Sequence, residues 1–400
     1  MYDVAVVGAR CAGSPTAMLL ARKGYRVVLV DRAAFPSDTL STHFIHAPGV
    51  ARLARWGVLD RVVASNCPPV MRYRLDFGPF ALTGSPPPFH GVRTAYAPRR
   101  TVLDKILVDA AVEAGAELHE NFTVEEVTVR DGHATGIRGH TRQGTSVTEQ
   151  ARFVIGADGR HSTVAQSVGA PIVREKPTAA CAYYTYWSGI PLDRVELYPR
   201  DRRFAVAFPT NDGLVCTLLA WPRDEFHAVR ADIEGQALKI VEALPGLVDR
   251  IRGGKRAERF MGTGDLPNFF RKAWGPGWAL VGDAGYHKDP NLALGISDAF
   301  RDAERLASAV DAGLSGGRSL DDALSEYERE RDETSAAPFE LNFQLATLAP
   351  PPPEMQALFG ALRDNQPDTD RLIGALVGTV PVPEFFSPAN VARICGAPAA

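Results

Sequence analysis

No run of about 18 apolar residues occurs in this 400-residue chain, so nothing in it reads as a membrane-spanning helix. The opening residues, MYDVAVVGAR, lack the basic head and longer apolar core of a secretory leader. Cysteine is scarce. Cys11, Cys67, Cys181, Cys216 and Cys395 are odd in number and show no Cys-x-x-Cys spacing. The expectation is free thiols in a reducing cytoplasm, with no structural zinc and no other metal site. A basic surplus is absent too: 44 Lys+Arg against 47 Asp+Glu give a formal net charge of −3. That removes the electrostatic basis for binding nucleic acid. Internal repeats and a collagen-like glycine period are also missing. What remains is a globular balance, 45% hydrophobic and 23% charged, with length for two to three domains.

The first thirty residues carry the strongest signal. Val4–Val7 is a short apolar run that predicts a buried strand. It leads into Gly8-Ala9-Arg10-Cys11-Ala12-Gly13-Ser14 and a helix reaching about Lys23, with Gly24 at its C-cap. Residues 26–30, Arg-Val-Val-Leu-Val, predict a second strand, which Asp31 closes. A strand, a glycine turn at the head of a helix, a second strand and an acid about 20 residues on form a dinucleotide fingerprint. Gly8 permits the tight turn and Gly13 the close packing of helix on sheet. The opening amides and positive dipole end of the helix suit a pyrophosphate. Asp31 can accept ribose hydroxyls. Arg10 stands where a second glycine is usual, and its guanidinium can meet a phosphate or a cofactor edge.

Two later motifs follow. Phe153–Ile155 runs into Gly156-Ala157-Asp158-Gly159. Trp278–Val281 runs into Gly282-Asp283-Ala284, then Asp289-Pro290 and Gly295-Ile296 before a long helix. Its stripe of Ile296, Ala299, Phe300, Ala303, Leu306 and Val310 is apolar at helical spacing. With these three motifs in order, the sequence resembles the FAD-dependent monooxygenases of the para-hydroxybenzoate hydroxylase fold, a group that includes geranylgeranyl reductases and flavin halogenases. The resemblance spans roughly residues 3–310.

It implies an α/β chain: a Rossmann-like FAD-binding domain, an inserted antiparallel β-sheet substrate domain and a helical C-terminal region. The expected boundaries are 1–70, 98–170 and 270–312 for the first, 71–97 and 171–269 for the second, and 313–400 for the third. The resemblance places FAD against Gly8, Arg10, Ala12, Gly13 and Ser14 of the turn, with Asp31 and Arg32 at the adenosine end. Arg100 matches a family helix that contacts FAD, and Asp158 the acidic turn. Gly282 and Asp283 would hold the ribityl chain, and Gly295 and Ile296 would offer amides to the flavin. Asp158 is equally readable as a plain Asp-Gly turn former.

Between about 175 and 265 the pattern predicts aromatic-rich strands at 182–187, 204–209 and 213–221. Tyr184, Tyr186, Phe208 and Trp221 are candidate walls of a substrate pocket, or ordinary core. His43 and His287 are candidate acid–base residues, or histidines satisfied by local bonds. The tail beyond the prolines at 350–353 packs back on the substrate lobe or forms a dimer contact, in a monomer or homodimer.

The family reading implies NAD(P)H as reductant, molecular oxygen as co-substrate, and a small organic substrate, aromatic or polyketide-like, hydroxylated or epoxidised by a flavin C4a-hydroperoxide. A geranylgeranyl-reductase-like enzyme reducing C=C bonds is the alternative. A halogenase fits less, because no lysine lies between Lys23 and Lys105 and only Trp187 of a two-tryptophan motif is present. A non-catalytic flavin sensor is the remaining reading.

Overall fold

The computed structural model describes residues 1–396; the last four residues of the expected C-terminal region lie outside the described residues. Its central sheet runs in the order Trp274–Gly275, Trp278–Leu280, Ser146–Gly156, Tyr2–Val7, Val27–Val30, Glu117–His119. From Trp278–Leu280 onward the neighbours are parallel. Parallel strands buried on both faces read as continuous apolar runs, as Val4–Val7 and Val27–Val30 do. Their side chains still alternate. Val4, Val6, Val27 and Leu29 join a core with helices Gly13–Ala21, Arg100–Glu113 and Gly295–Leu314. Ala5, Val7, Val28 and Val30 face the meander built on Phe122–Arg130 and His133–Thr141.

The run Phe153–Ile155 is the end of one long strand, Ser146–Gly156, although residues 146–149 read in the sequence as a separate strand of a small meander. Ser146–Gly156 pairs antiparallel with the meander through its first half and parallel with Tyr2–Val7 through its second. Its exposure explains the split reading: the first half alternates, whereas Phe153–Gly156 is wholly buried.

A second sheet runs Lys255–Arg256, Ala180–Ser188, Val215–Pro222, Arg203–Pro209, Val195–Arg200, Tyr73–Asp76, Ala81–Gly84. The short strands from residues 73–84 therefore add to the strands after 180. One face, with Tyr184, Tyr186, Phe208 and Leu218, packs against Phe44 and against Leu358, Leu372, Ile373 and Phe385 of the C-terminal helices. The other carries Tyr183, Leu219 and Trp221 and is covered by helices Phe226–Ala231, Ile233–Glu242 and Pro245–Gly253. Strand periodicity alone did not predict those three helices, although Val229, Ile233, Ala237, Ile240 and Leu244 recur at helical spacing.

After Gly295–Leu314 the chain continues as Leu320–Ala346, breaks at the prolines, and returns as Pro353–Ala361 and Gln366–Val377 over the substrate sheet. Of the two placements open for the tail, the structure shows the first. Among the described residues no helix is long and apolar enough to cross a membrane.

Candidate active site

The strand Tyr2–Val7 ends at Gly8, whose φ is +99°. A Cβ on Gly8 would stand 2.4 Å from the Ala157 carbonyl oxygen, and one on Gly13 would stand 1.7 Å from the Gly8 carbonyl oxygen. No side chain fits either place. The close approach of Gly13 is thus to the turn itself rather than to the sheet at large. Asp31 fastens this turn: Oδ2 accepts from the Ala9 amide at 2.8 Å and Oδ1 from the Ala33 amide at 2.8 Å. Each carboxylate oxygen keeps a lone pair for a ribose hydroxyl.

The helix Gly13–Ala21 begins without a side-chain cap and without an acid in its first turn. Its dipole end and the Gly13 amide are therefore available to an anion, whereas the Ser14 amide is bonded within the turn and Pro15 has none. Ser14 supports the turn from behind. Its hydroxyl donates to the Ala9 carbonyl at 2.8 Å and its amide to the Arg10 carbonyl at 3.0 Å. Gly282, at φ +61°, is pressed against Ala12, where a Cβ would come to 2.7 Å of the alanine Cβ. That contact joins the first motif to the third.

Beside the turn lies a carboxylate that the sequence analysis missed. Asp104 is fully buried. Oδ1 accepts Arg100 Nε at 3.0 Å, and Oδ2 accepts a second Arg100 nitrogen at 3.0 Å and Arg10 at 2.5 Å. Arg10 also donates to Ser37 Oγ at 2.9 Å. The two arginines expected at the cofactor are held in place by one acid. The spacing of Arg100 and Asp104, four apart on a helix, is the signal that was available. Burial pushes the Cys11 thiol upward despite its place at the helix head, so it is an inert lining group.

Gly8, Arg10, Cys11, Ala12 and Arg100 border a cleft of about 780 Å³, together with Asp31, exposed Arg32, Asp158, Asp283, His287, Gly295 and Ile296, while Gly13, Ser14, Asp104 and Gly282 stand behind that lining. Cavities of ~300–1,000 Å³ are typical of ligand sites. Asp158 accepts from Ser162 Oγ at 2.5 Å and from the Val164 amide at 3.1 Å; burial raises its carboxyl. It caps the short helix Thr163–Ser167 while bordering the cleft. Helix Gly295–Leu314 also starts without a side-chain cap, and a Cβ on Gly295 meets no protein atom within 4 Å. Packing does not demand glycine there, whereas a flat ring lying on the helix end would. The uncapped amides, the glycine-only turn and the cleft volume fit FAD.

The segment His287–Asp289 forms the inner wall, and Lys288 and Asp289 were not foreseen in a site role. Lys288 Nζ donates to the Tyr286 hydroxyl at 2.7 Å and to the Asp298 carboxylate, which keeps its buried charge paired. Burial pushes the Asp289 carboxyl up to about 7. His287 borders the cleft with Nδ1 on the Pro267 carbonyl and its ring stacked on Phe269. Burial lowers its pKa, with Asp283 opposing.

His43 is elsewhere. It is buried off the cleft, with Nδ1 3.1 Å from the Ala97 carbonyl and Nε2 3.0 Å from the Tyr186 hydroxyl. Burial lowers its pKa to about 3. Since the carbonyl only accepts, Nδ1 carries the hydrogen and Nε2 accepts from Tyr186. The ring is neutral and fully bonded, as the local-bond reading had it.

Tyr184 borders the cleft, and Phe208 borders an adjoining apolar chamber of about 40 Å³. Tyr186 is tied to His43 and lies 4.4 Å beneath the Arg99 guanidinium. Trp221 corrects the expectation. It faces the opposite side of the sheet, fully buried against Val229 and Ala237, because its register partner is Cys181 and not one of the pocket tyrosines.

Residues 1–237 match the family model described as the FAD binding domain, and the chain belongs to that family. It is 23% identical over 351 residues to the digeranylgeranylglycerophospholipid reductase of Methanocella arvoryzae, covering 86% of both chains. It is 27% identical over 357 residues to the rifampicin monooxygenase of Rhodococcus hoagii, covering 84% of this chain and 69% of that one. Its fold matches the myxobacterial chondrochloren halogenase with a TM-score of 0.80 at 21% identity, covering 98% of this chain and 95% of that one. Fold, family and cleft together define an FAD-dependent oxidoreductase of the flavoprotein monooxygenase family.

Removing the shared, fully buried acid leaves the buried Arg100 guanidinium facing the half-buried Arg10 guanidinium without a counter-charge. Asp104→Ala is expected to cost about 3–5 kcal/mol in denaturant unfolding and to lose FAD on gel filtration. A loss below about 1 kcal/mol with FAD retained would contradict the buried-pair account.

The raised Asp289 carboxyl makes a signed prediction. It stabilises fully below its ordinary 3.8 and loses that contribution as pH rises through about 7. Asp289→Asn should therefore raise Tm over the parent by about 2–5 °C more at pH 8 than at pH 5, measured on the FAD-free chain. Equal differences at both pH values would mean that the carboxyl ionises freely.

Proposed function

We propose that this chain is an NAD(P)H-dependent FAD monooxygenase that hydroxylates or epoxidises a mid-sized, mostly apolar substrate, aromatic or polyketide-like. The observation that carries this reading is the chamber adjoining the cofactor cleft. Phe44, Leu75, Val206, Phe208 and Leu218 line it from the lobe, and Ile373 and Val377 of the C-terminal helix close it. An oxygen-using flavoenzyme must keep water from its reacting centre, and an apolar chamber under a helical cover does that.

The residues divide the work. The turn amides and Arg10 would hold the diphosphate, Asp31 the adenosine ribose, and Asp283 the ribityl hydroxyls. The amides at Gly295 and Ile296 would meet the pyrimidine edge of the ring, where a helix dipole favours negative charge. Bound there, FAD supplies hydride acceptance and oxygen activation. His287 keeps Nε2 for a proton at the cleft wall, since Nδ1 is occupied by the Pro267 carbonyl. The paired Lys288–Asp298 keeps that wall polar without a loose charge.

The second reading is a reductase of C=C bonds, supported by the likeness to the digeranylgeranylglycerophospholipid reductase over 86% of both chains. One experiment separates the two. The FAD-loaded chain is given NADH or NADPH with and without oxygen across a panel of apolar phenols and polyenes, and product, oxygen uptake and peroxide are followed. The proposal expects oxygen-dependent consumption of NAD(P)H that is faster with substrate, with one oxygen atom in the product. Saturated product formed without oxygen would establish the reductase reading instead.

A further inference from the structure

Most of the hydrogen-bonding capacity in the chamber wall is consumed internally. His46 Nε2 lies 2.9 Å from the Leu292 carbonyl and Nδ1 3.1 Å from the Tyr73 hydroxyl. The carbonyl accepts only, so Nε2 carries the ring hydrogen and Nδ1 accepts from Tyr73. Both donors are thereby used. Burial lowers the His46 pKa to about 4, so the ring offers no charge near neutral pH. No lysine or arginine lines the chamber, and Thr42, which borders both spaces, has the one other hydroxyl there.

The unmet polar atoms lie on either side of Pro290. Asp289 borders the cleft and is 2% exposed, and its Oδ2 has no hydrogen-bond partner among the described residues. Asn291 borders the chamber and is 8% exposed, and its Oδ1 likewise has none. Their other bonds hold them in place: the Asn291 amide donates to Asp289 Oδ1 at 3.2 Å, and Asn342 donates to the Asp289 carbonyl at 2.8 Å. Pro290 lines both spaces. A buried acceptor without a donor costs about 1–3 kcal/mol, so two of them held rigid beside a cavity point to a ligand that brings donors.

We propose that Asp289 and Asn291 form the polar recognition pair of this site and select a neutral, largely apolar substrate bearing a hydroxyl or N–H donor over its ether or carboxylate counterpart. With Asp289 ionised, above its raised pKa of about 7, an ether brings no donor to either oxygen. A carboxylate brings charge to a chamber lined by no lysine or arginine and to the side of the Asp289 carboxylate. The chamber's volume, a few water-sized spheres at ~10–15 Å³ each, takes a short alkyl arm beside the donor group. The inference deepens the monooxygenase reading and rests on it.

Calorimetric binding of 4-propylphenol, 4-propylanisole and 4-propylbenzoate to the FAD-loaded full chain at pH 8.5, where Asp289 is ionised, tests it. The phenol should bind at least tenfold tighter than the anisole, with the benzoate weakest. Asn291→Leu should cut phenol affinity about tenfold and leave the anisole within twofold, because only the donor-bearing ligand used the lost oxygen. Asp289→Asn places an amide donor where Oδ2 stood, so it should narrow the preference by weakening the phenol and improving the anisole. Flavin absorbance of each variant confirms a folded, loaded protein. A loaded chain that binds none of the three, binds phenol and anisole alike, or keeps its preference in both variants overturns the recognition pair alone. A chain that takes up no FAD overturns the flavoenzyme reading and this inference with it.

Discussion

The contact on which the rest of the molecule depends is the approach of Gly13 to the Gly8 carbonyl. The helix can start only where the strand has just ended, and only without side chains at both positions. That constraint sets the head of the helix behind Arg10, Cys11 and Ala12, which border the cleft. Asp31 holds the turn from the second strand, and the close approach of Gly282 to Ala12 brings the third motif, almost 270 residues on, against the same turn. A cofactor seat assembled from three distant segments thus has a single geometric anchor.

Charge around the seat is arranged by burial. Asp104 binds two arginines at once, which aligns them and removes an unpaired acid from the phosphate end. At the other end Lys288 is neutralised by Asp298, which itself pairs with Arg301. The substrate side has the opposite character: an apolar chamber in which His46 and Tyr73 are bonded to each other and to the Leu292 carbonyl. The two environments meet at Pro290, where a polar cofactor and an apolar substrate have to face each other.

What the sequence made legible was local. Val4–Asp31 contains its own strand, turn, helix and acid, so each residue's task follows from its neighbours. Tyr184 and Tyr186 share a face because period-2 alternation is a property of the chain. Trp221 was misassigned because its face depends on register against Ala180–Ser188, which no single strand encodes. Asp104 was missed because its importance comes from Arg10, 94 residues away. His43 stood as an acid–base candidate or a locally bonded histidine, and the fold buries it under the substrate sheet, where desolvation lowers its pKa. Asp289 passed as part of a family motif, and only the structure shows that one of its oxygens has no partner.

The most direct measurement is a fluorescence titration of the FAD-free chain with FAD, FMN and riboflavin. The account predicts tight binding of FAD. FMN should bind at least about a hundredfold more weakly, because it lacks the adenosine ribose that Asp31 would hold and the second phosphate that the turn would meet, contacts worth ~1.5–3 kcal/mol each. Equal affinity for all three, or no binding of FAD, would contradict it.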